Sequence, residues 1–546
     1  LQDLGSVLDV TSAGRLQRDQ QGTSNLWNYN YWSSPVSPVN TTANNTDYTV
    51  DGVLRDGTNS ANPLNLQWSE SYDADPLTTP ITLSRRWLWV YENYPNYVDI
   101  AQSYADWRYL TETGTLAVGL GYTMKGSGAN YPTIDIQNYV YDGKPNNGLI
   151  TTPITGGNQA LVGNPYPSAI DAQEFIRDNI PGASGNPGSS QSIEGTVYLW
   201  EHYTTNETHV LEEYEGGYAT YNLTGGNAAI SPPLISGLGT PVKFPERYIP
   251  VGQGFYVVSS ATGGNVTFNN NQRVYAKEGL GTSIFMEAND ASMDINGNIA
   301  NTSNANYSTS YAEPDGVQRV RINCQTTDGA VRSLLLGFIP GEATDGIDIA
   351  YDAENTDGLA NDFSWLIEEK YFSTQGVGEF EPKSQYPIIA MVGEAGEINI
   401  SLLAVENFDY DLEVFIYDAL YGTYTNLNTT DFVLSLDAGI HRDRFYLAFY
   451  ELSTLSDSEN ELGNILINYL NDSNEIYVHI QDAHQIDRIS IVNIIGQEVQ
   501  SYERSDFDVN GSNEIRIPVK SIAEGTYVLK VESDLGTANK KVIIQY

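Results

Sequence analysis

Apolar and polar residues alternate in short bursts along most of this chain, and the clearest run lies at its end. From Arg488 to Tyr546 the bursts are marked by Ile489 and Ile491, Val499, Ile515 to Val519, Tyr527 to Val531, and Val542 and Ile544. Gly, Asn, Asp or Ser bounds each one. Period two between turn formers predicts half-buried antiparallel strands. With Ile465–Leu470 and Glu475–Ile480 added, the expectation is about seven strands, the count of a small β-sandwich.

The same pattern recurs upstream. Residues 1–280 carry short runs such as Trp87-Leu-Trp-Val-Tyr, Thr196-Val-Tyr-Leu-Trp and Gly254-Phe-Tyr-Val-Val, separated by Asp51-Gly52, Asp142-Gly143, Asn147-Gly148 and Gly263-Gly264. This predicts a β-rich domain with long loops. Two segments echo each other: Ala117-Val-Gly-Leu-Gly-Tyr-Thr-Met and Pro250-Val-Gly-Gln-Gly-Phe-Tyr-Val. One short helix is expected after Pro167, with Ser168 as N-cap and Ala169, Ala172, Phe175 and Ile176 on one face. Residues 281–450 read as a jelly-roll-like sandwich, with strands at 318–325, 332–338, 397–403, 413–416 and 445–449. Residues 451–462 read as a linker, and 463–546 as the terminal sandwich. The fold class is therefore all-β and multidomain.

Bulk numbers narrow the function. At 546 residues, about three domains are expected. Hydrophobic residues make up 40% and aromatic residues 11%, enough for packed cores despite a net charge of −42. That charge excludes nucleic acid as a natural partner and disfavours an anionic membrane surface. It suits a surface that faces outward or holds divalent cations. The lone Cys324 allows no internal disulfide, and its strand-like setting predicts a buried, inert thiol. No apolar run reaches eighteen residues, so no membrane-spanning helix is predicted. The opening residues lack a basic segment followed by an apolar core, so the expectation is a mature or truncated piece of a longer protein.

Candidate chemistry is sparse. The acidic loop from Thr344 to Phe363 holds Asp345, Asp348, Asp352, Glu354, Asp357 and Asp362. Calcium takes six to eight oxygens, so Asp345, Asp348, Asp352 and Asp357 are its candidate ligands. A solvated loop with Asp-Gly turns is the other reading. His202, Glu207 and His209 are a weaker zinc set. No G-x-S-x-G or H-E-x-x-H occurs, and no pair among 69 acidic residues stands out. The chain is therefore read as non-catalytic. Two aromatic groups, Trp27, Tyr29, Tyr31 and Trp32, and Trp87, Trp89, Tyr91, Tyr94 and Tyr97, read either as core or as stacking surfaces for sugars of cell-surface glycans.

The motifs at Asn493–Val499, Ile522–Val531 and Lys540–Ile544 together resemble the type A C-terminal sorting domain of type IX secretion cargo in Bacteroidetes. The resemblance implies an Ig-like sandwich that takes the cargo through an outer-membrane translocon to a shuttle barrel, where a surface sortase commonly removes it. Asn493, Gly496, Gly525, Tyr527, Lys540 and Lys541 are the matching positions proposed for docking. Gly496 and Gly525 also suit hairpin turns, and the two lysines also suit a guarded strand edge. The chain departs from the family where Asn468-Tyr469-Leu470-Asn471 replaces its usual Tyr-Pro-Asn-Pro and Val492 replaces a usual Tyr. Upstream, Arg18–Thr23, Tyr29–Pro35 and Gly163–Asp171 resemble the C-terminal part of large flavobacterial cell-surface proteins. The expectation is a secreted surface protein, an adhesin or gliding-associated factor. The alternative is a non-catalytic carbohydrate-binding region of a polysaccharide-degrading enzyme.

Overall fold

The computed structural model describes residues 5–95, 106–128, 136–182, 184–189, 191–202, 208–210, 216–230, 244–279, 282–283, 285–286, 315–450, 465–470, 475–480, 486–493, 496–507, 514–519, 522–523, 525–533 and 536–544. Strands dominate throughout, and among the described residues α-helix is confined to Val50–Val53 and Ala172–Asn179. The fold is all-β, as the alternation predicts. The chain divides into two compact units. The first comprises Leu1–Phe380, Met391–Asp411 and Val433–Gly439, and the second Glu381–Ala390, Leu412–Phe432 and Ile440–Tyr546.

The first unit is built around Trp32, which is 1% exposed. Strand Tyr29–Trp32 pairs with Tyr122–Lys125, placing Trp32 opposite Tyr122, and a bridge joins Trp32 to Gln253. The two echoed segments thus flank one tryptophan. Each makes the same turn, with Gly119 at φ 97° and Gly252 at φ 73°. Each then brings a second glycine against its neighbours. A Cβ on Gly121 would lie 2.8 Å from the Val162 carbonyl oxygen, and one on Gly254 would lie 2.9 Å from the Trp32 backbone. Only glycine allows both approaches. The echo is a repeated structural device.

The helix starts later than its sequence suggests. Residues Ala169–Asp171 pair with Tyr248–Ile249 and Arg273–Val274, which holds them extended. Asp171, not Ser168, is the N-cap, accepting from the Gln173 N–H at 3.0 Å. Ser168 instead takes a hydrogen bond from Arg273 Nε at 3.1 Å. Phe175 and Ile176 are fully buried as expected, and Phe175 packs 5.0 Å from Phe268. Burying that phenyl stabilises the unit by about 2 kcal/mol.

Further along, Gln318–Gln325 lies between Val331–Phe338 and Gly396–Glu406, antiparallel to both. Val331–Phe338 runs parallel to Lys370–Val377, which forms a hairpin with Asp362–Ile367. Charged side chains inside this sheet are paired. Arg321 donates to Glu406 at 2.5 Å, and Arg319, fully buried, reaches Asp315 at 2.6 Å. Removing either partner would leave a buried charge.

The second unit contains Phe415–Asp418, which pairs with Thr423–Asn426 on one side and Gly439–Ala448 on the other. It also contains the terminal sandwich. Ile465–Leu470, Glu475–Ile480 and Glu514–Pro518 form one sheet; Glu498–Glu503, Ile486–Asn493, Gly525–Ser533 and Gly536–Ile544 form the other. These seven strands follow the sequence bursts. Ile476, Val478, Ile489, Ile491, Ile515, Leu529, Val531 and Ile544 are fully buried in a core of their own.

Candidate functional site

Four of the six sorting-domain positions, Asn493, Gly496, Gly525 and Tyr527, lie at one end of the four-stranded sheet, and the two lysines lie near the middle of its last strand. Asn493 lies opposite Tyr527, and Tyr527 lies opposite Val542 on the last strand. Gly525 pairs with Ile544, while Lys541 and Lys540 oppose Val528 and Leu529 in the next two rows. The Lys541 side chain lies outside the described residues. Asn493 organises the adjoining turn: its Oδ1 accepts from the Gln497 N–H at 2.9 Å, and its carbonyl accepts from the Gly496 N–H at 2.9 Å. Gly496 has φ 84°, a conformation that disfavours any Cβ. Tyr527 is 8% exposed and donates its hydroxyl to the Ala523 carbonyl at 2.8 Å. Asn493, Gly496, Gly525 and Tyr527 therefore build the end of the sheet, while Lys540 is half-buried midway along the edge strand, a position where lysine disfavours pairing with other chains.

The acidic loop does not gather its carboxylates around one point. Asp348 accepts from the Thr344 N–H at 2.5 Å and its hydroxyl at 2.8 Å. Asp352 accepts from the N–H groups of Asp348 at 2.6 Å and Gly376 at 2.8 Å. Burial pushes the Asp352 carboxyl up to about 7, against the pull of those two N–H groups. Asp357 and Asp362 turn instead to Arg332, at 2.8 and 2.6 Å. Asp345 is exposed. Among the described residues no three His, Cys, Asp or Glu side chains cluster as a metal site. In place of an ion, backbone N–H groups hold Asp348 and Asp352 and a guanidinium holds Asp357 and Asp362. For the zinc set, Glu207 and the His202 side chain lie outside the described residues.

His209 has a different setting. Its ring stacks on Trp87 at 4.8 Å, its Nε2 meets Asp73 at 2.8 Å, and its Nδ1 meets the Lys125 amine at 3.0 Å. The same amine lies 3.9 Å from the Trp87 ring centre and 4.6 Å from that of Tyr29. Burial pulls Lys125 down to about 6 and lowers His209, while Asp73 works the other way on both. A lysine of the chain itself thus fills an aromatic cage. Asp73, Lys125 and His209 are far apart in sequence, so no spacing could reveal them.

The remaining aromatic candidates divide similarly. Trp32 belongs to the main core, whereas Tyr31 and Tyr91 pack with Tyr198 and Tyr256 in a second cluster edged by Tyr94, Trp107, Trp200 and Tyr218. Trp27 and Trp89 are half-buried. Tyr97 lies outside the described residues. Cys324 is fully buried, and burial pushes its thiol pKa up, as expected for an inert group.

A further aromatic surface went unrecognised in the sequence. On the outer strands of the second unit, Tyr417 lies opposite both Tyr424 and Tyr446, giving a row of three rings. Tyr417 and Tyr424 stack at 4.6 Å, and Gln385 donates to the Tyr424 hydroxyl at 3.1 Å. Beside Tyr424 a hollow of about 320 Å³ is lined by Glu413, Phe415, Tyr424, Asn426, Phe449 and Tyr450. The signal was the paired alternation of Phe415-Ile-Tyr-Asp and Thr423-Tyr-Thr-Asn, which puts both tyrosines on one face.

Two family models match the chain. The family described as "Domain of unknown function (DUF8693)" matches residues 67–449. The "Secretion system C-terminal sorting domain" matches residues 472–545. No curated protein matches. A solved structure described as "Biofilm associated protein - BSP domain" shares 10% identity over 100% of this chain and 98% of its own, with a TM-score of 0.15.

Proposed function

This chain belongs to the family described as domain of unknown function DUF8693, and from its terminal sorting domain and β-rich body we propose that it is a surface attachment protein. The sorting domain makes it cargo of the type IX secretion system, carried across the outer membrane to the cell surface or beyond. The observation that carries the proposal is the terminal sandwich, with its own core and with Asn493, Gly496, Gly525 and Tyr527 gathered at one sheet end. It supplies an address, and the β-rich remainder supplies a body to display. That body acts by binding, as an adhesin or gliding-associated factor, and without catalysis. The translocon and the shuttle barrel take hold of the sandwich, and a surface sortase acts after them. Removing residues 463–546 leaves the remainder in the periplasm, seen by fractionation and surface labelling. Normal display of the truncated chain would overturn the export role. Cells lacking the whole protein attach or glide less; unchanged attachment and gliding would overturn the adhesin role.

The second reading, a carbohydrate-binding accessory region of a polysaccharide-degrading enzyme, is favoured by the tyrosine-lined hollow. Growth on a polysaccharide that falls in the deletion strain, with attachment intact, would select it.

A further inference from the structure

We propose that the hollow beside Tyr424 is a binding site for a neutral hexose unit of a glycan. This gives the attachment reading a ligand class and rests on that reading for its biological sense. The chemistry of the lining carries the assignment. A pyranose has faces of C–H groups and a rim of hydroxyls, so its site needs aromatic walls and a few paired donors and acceptors. Phe415 and Phe449 are each 6% exposed and form an apolar floor, while Tyr424 is half-buried and Tyr450 is 47% exposed. Asn426 lies opposite Phe415 in register, and its Nδ2 donates to Glu413 Oε1 at 3.2 Å. That contact sets a carboxylate beside a carboxamide. Together they offer acceptors and a donor to neighbouring hydroxyls.

Preorganisation supports the assignment. Tyr424 is held by stacking on Tyr417, by the edge of Phe415 at 6.2 Å and by the hydrogen bond from Gln385. A wall already fixed in place loses little freedom when a ligand arrives. The volume of about 320 Å³ is that of a small-ligand site, enough for one sugar ring with part of the next. Charge chooses among glycans. Glu413 is the charged side chain of the lining, and the whole chain carries −42. Uronic-acid and sulfated polymers are repelled, whereas neutral ones are not.

The test uses the purified full chain, so export plays no part in it. Neutral oligosaccharides of glucose, mannose, galactose and xylose are titrated by ligand-observed NMR and calorimetry, with a uronic-acid oligomer as control. At least one neutral oligosaccharide binds and the uronic acid does not. Tyr450→Ala, at an exposed position, weakens binding about tenfold, and Tyr424→Ala does so by more. Glu413→Gln keeps the shape and weakens binding severalfold. Unchanged melting temperatures show that the variants are folded. No binding of any neutral sugar at about 10 mM, or binding unaffected by both tyrosine variants, would overturn the proposal. Preference for the uronic acid would overturn it equally. Sugar binding intact in a protein whose loss leaves attachment unchanged would sink the adhesin role while sparing the site.

Discussion

Arg332 grips Asp362 through two parallel hydrogen bonds, Nε to Oδ1 at 2.8 Å and Nη2 to Oδ2 at 2.6 Å. Asp362 is fully buried and Arg332 is 2% exposed. Asp357 joins the same guanidinium at 2.8 Å, and Asn355 braces Asp362 at 2.8 Å. Two of the six loop acids are thereby committed to a cation that the chain supplies itself. Asp362→Ala strands the guanidinium and costs about 3–5 kcal/mol, read by urea unfolding. Replacing Arg332 and Asp362 together by Met and Leu costs less, because the one charge left without its partner, Asp357, is partly exposed and water can take the place of the guanidinium.

Calcium removal is the companion experiment. With Asp348 and Asp352 serving backbone N–H groups and Asp357 and Asp362 serving Arg332, a chelator leaves the melting temperature unchanged. A fall of several degrees, reversed by added calcium, would restore the ion to this loop.

Two buried groups give the molecule opposing pH responses. Burial raises the Glu194 carboxyl to about 7 even though Tyr198 donates to it at 2.7 Å. A raised carboxyl binds its proton more tightly in the folded chain, so its stabilising contribution is complete below the unfolded value and is lost as pH rises through 7. Glu194→Gln keeps the tyrosine contact and removes this loss. The variant gains about 2 kcal/mol over the wild type at pH 8, allowing for water that still reaches the group, and gains nothing at pH 4. Thermal melts across that range decide it.

Lys125 works in the other direction. Its amine is pulled down to about 6, so its contribution is complete above the unfolded lysine value and is lost as pH falls through 6. Lys125→Met keeps the bulk against Trp87 and Tyr29 while deleting the amine. The variant is more stable than the wild type at pH 6 by about 2 kcal/mol, net of the ring attraction forfeited, and the gap closes toward pH 10. A gap independent of pH would show that the amine stays charged in its cage.

In the sorting sandwich, Gly496→Ala costs about 1–2 kcal/mol. The cost comes from φ 84° alone, since a Cβ there would meet nothing within 4 Å. Gly496→Asn costs less, because asparagine tolerates this conformation. Both effects appear in the unfolding of the purified chain. A larger loss of surface display than of stability would give the turn a direct part in docking.

The strands were legible because alternation and turn residues act locally: Gln318–Gln325 and the terminal bursts match their expected spans. The helix start was misread because Ser168 and Asp171 are both good caps. Pairing of Ala169–Asp171 with distant strands decided between them. The sorting residues were legible as a pattern, yet placing Asn493, Gly525 and Tyr527 together at one sheet end needed the register of neighbouring strands. In the acidic loop, composition shows how many carboxylates are present but not which partners satisfy them. Arg332 precedes Asp357 by 25 positions and Asp362 by 30, and nothing local links them.

Cys324 sits near the end of its strand between Arg332 on one neighbour and Ile400 on the other, with no surface open to solvent. A thiol reagent can therefore reach it only when that sheet parts. In a chain with one cysteine, every labelling event records the same opening, without background from another site. The dead thiol thus serves as a clock. Its rate of modification, followed against reagent concentration, times the opening of the sheet that holds Arg332 and Asp362, in the native protein and without denaturant.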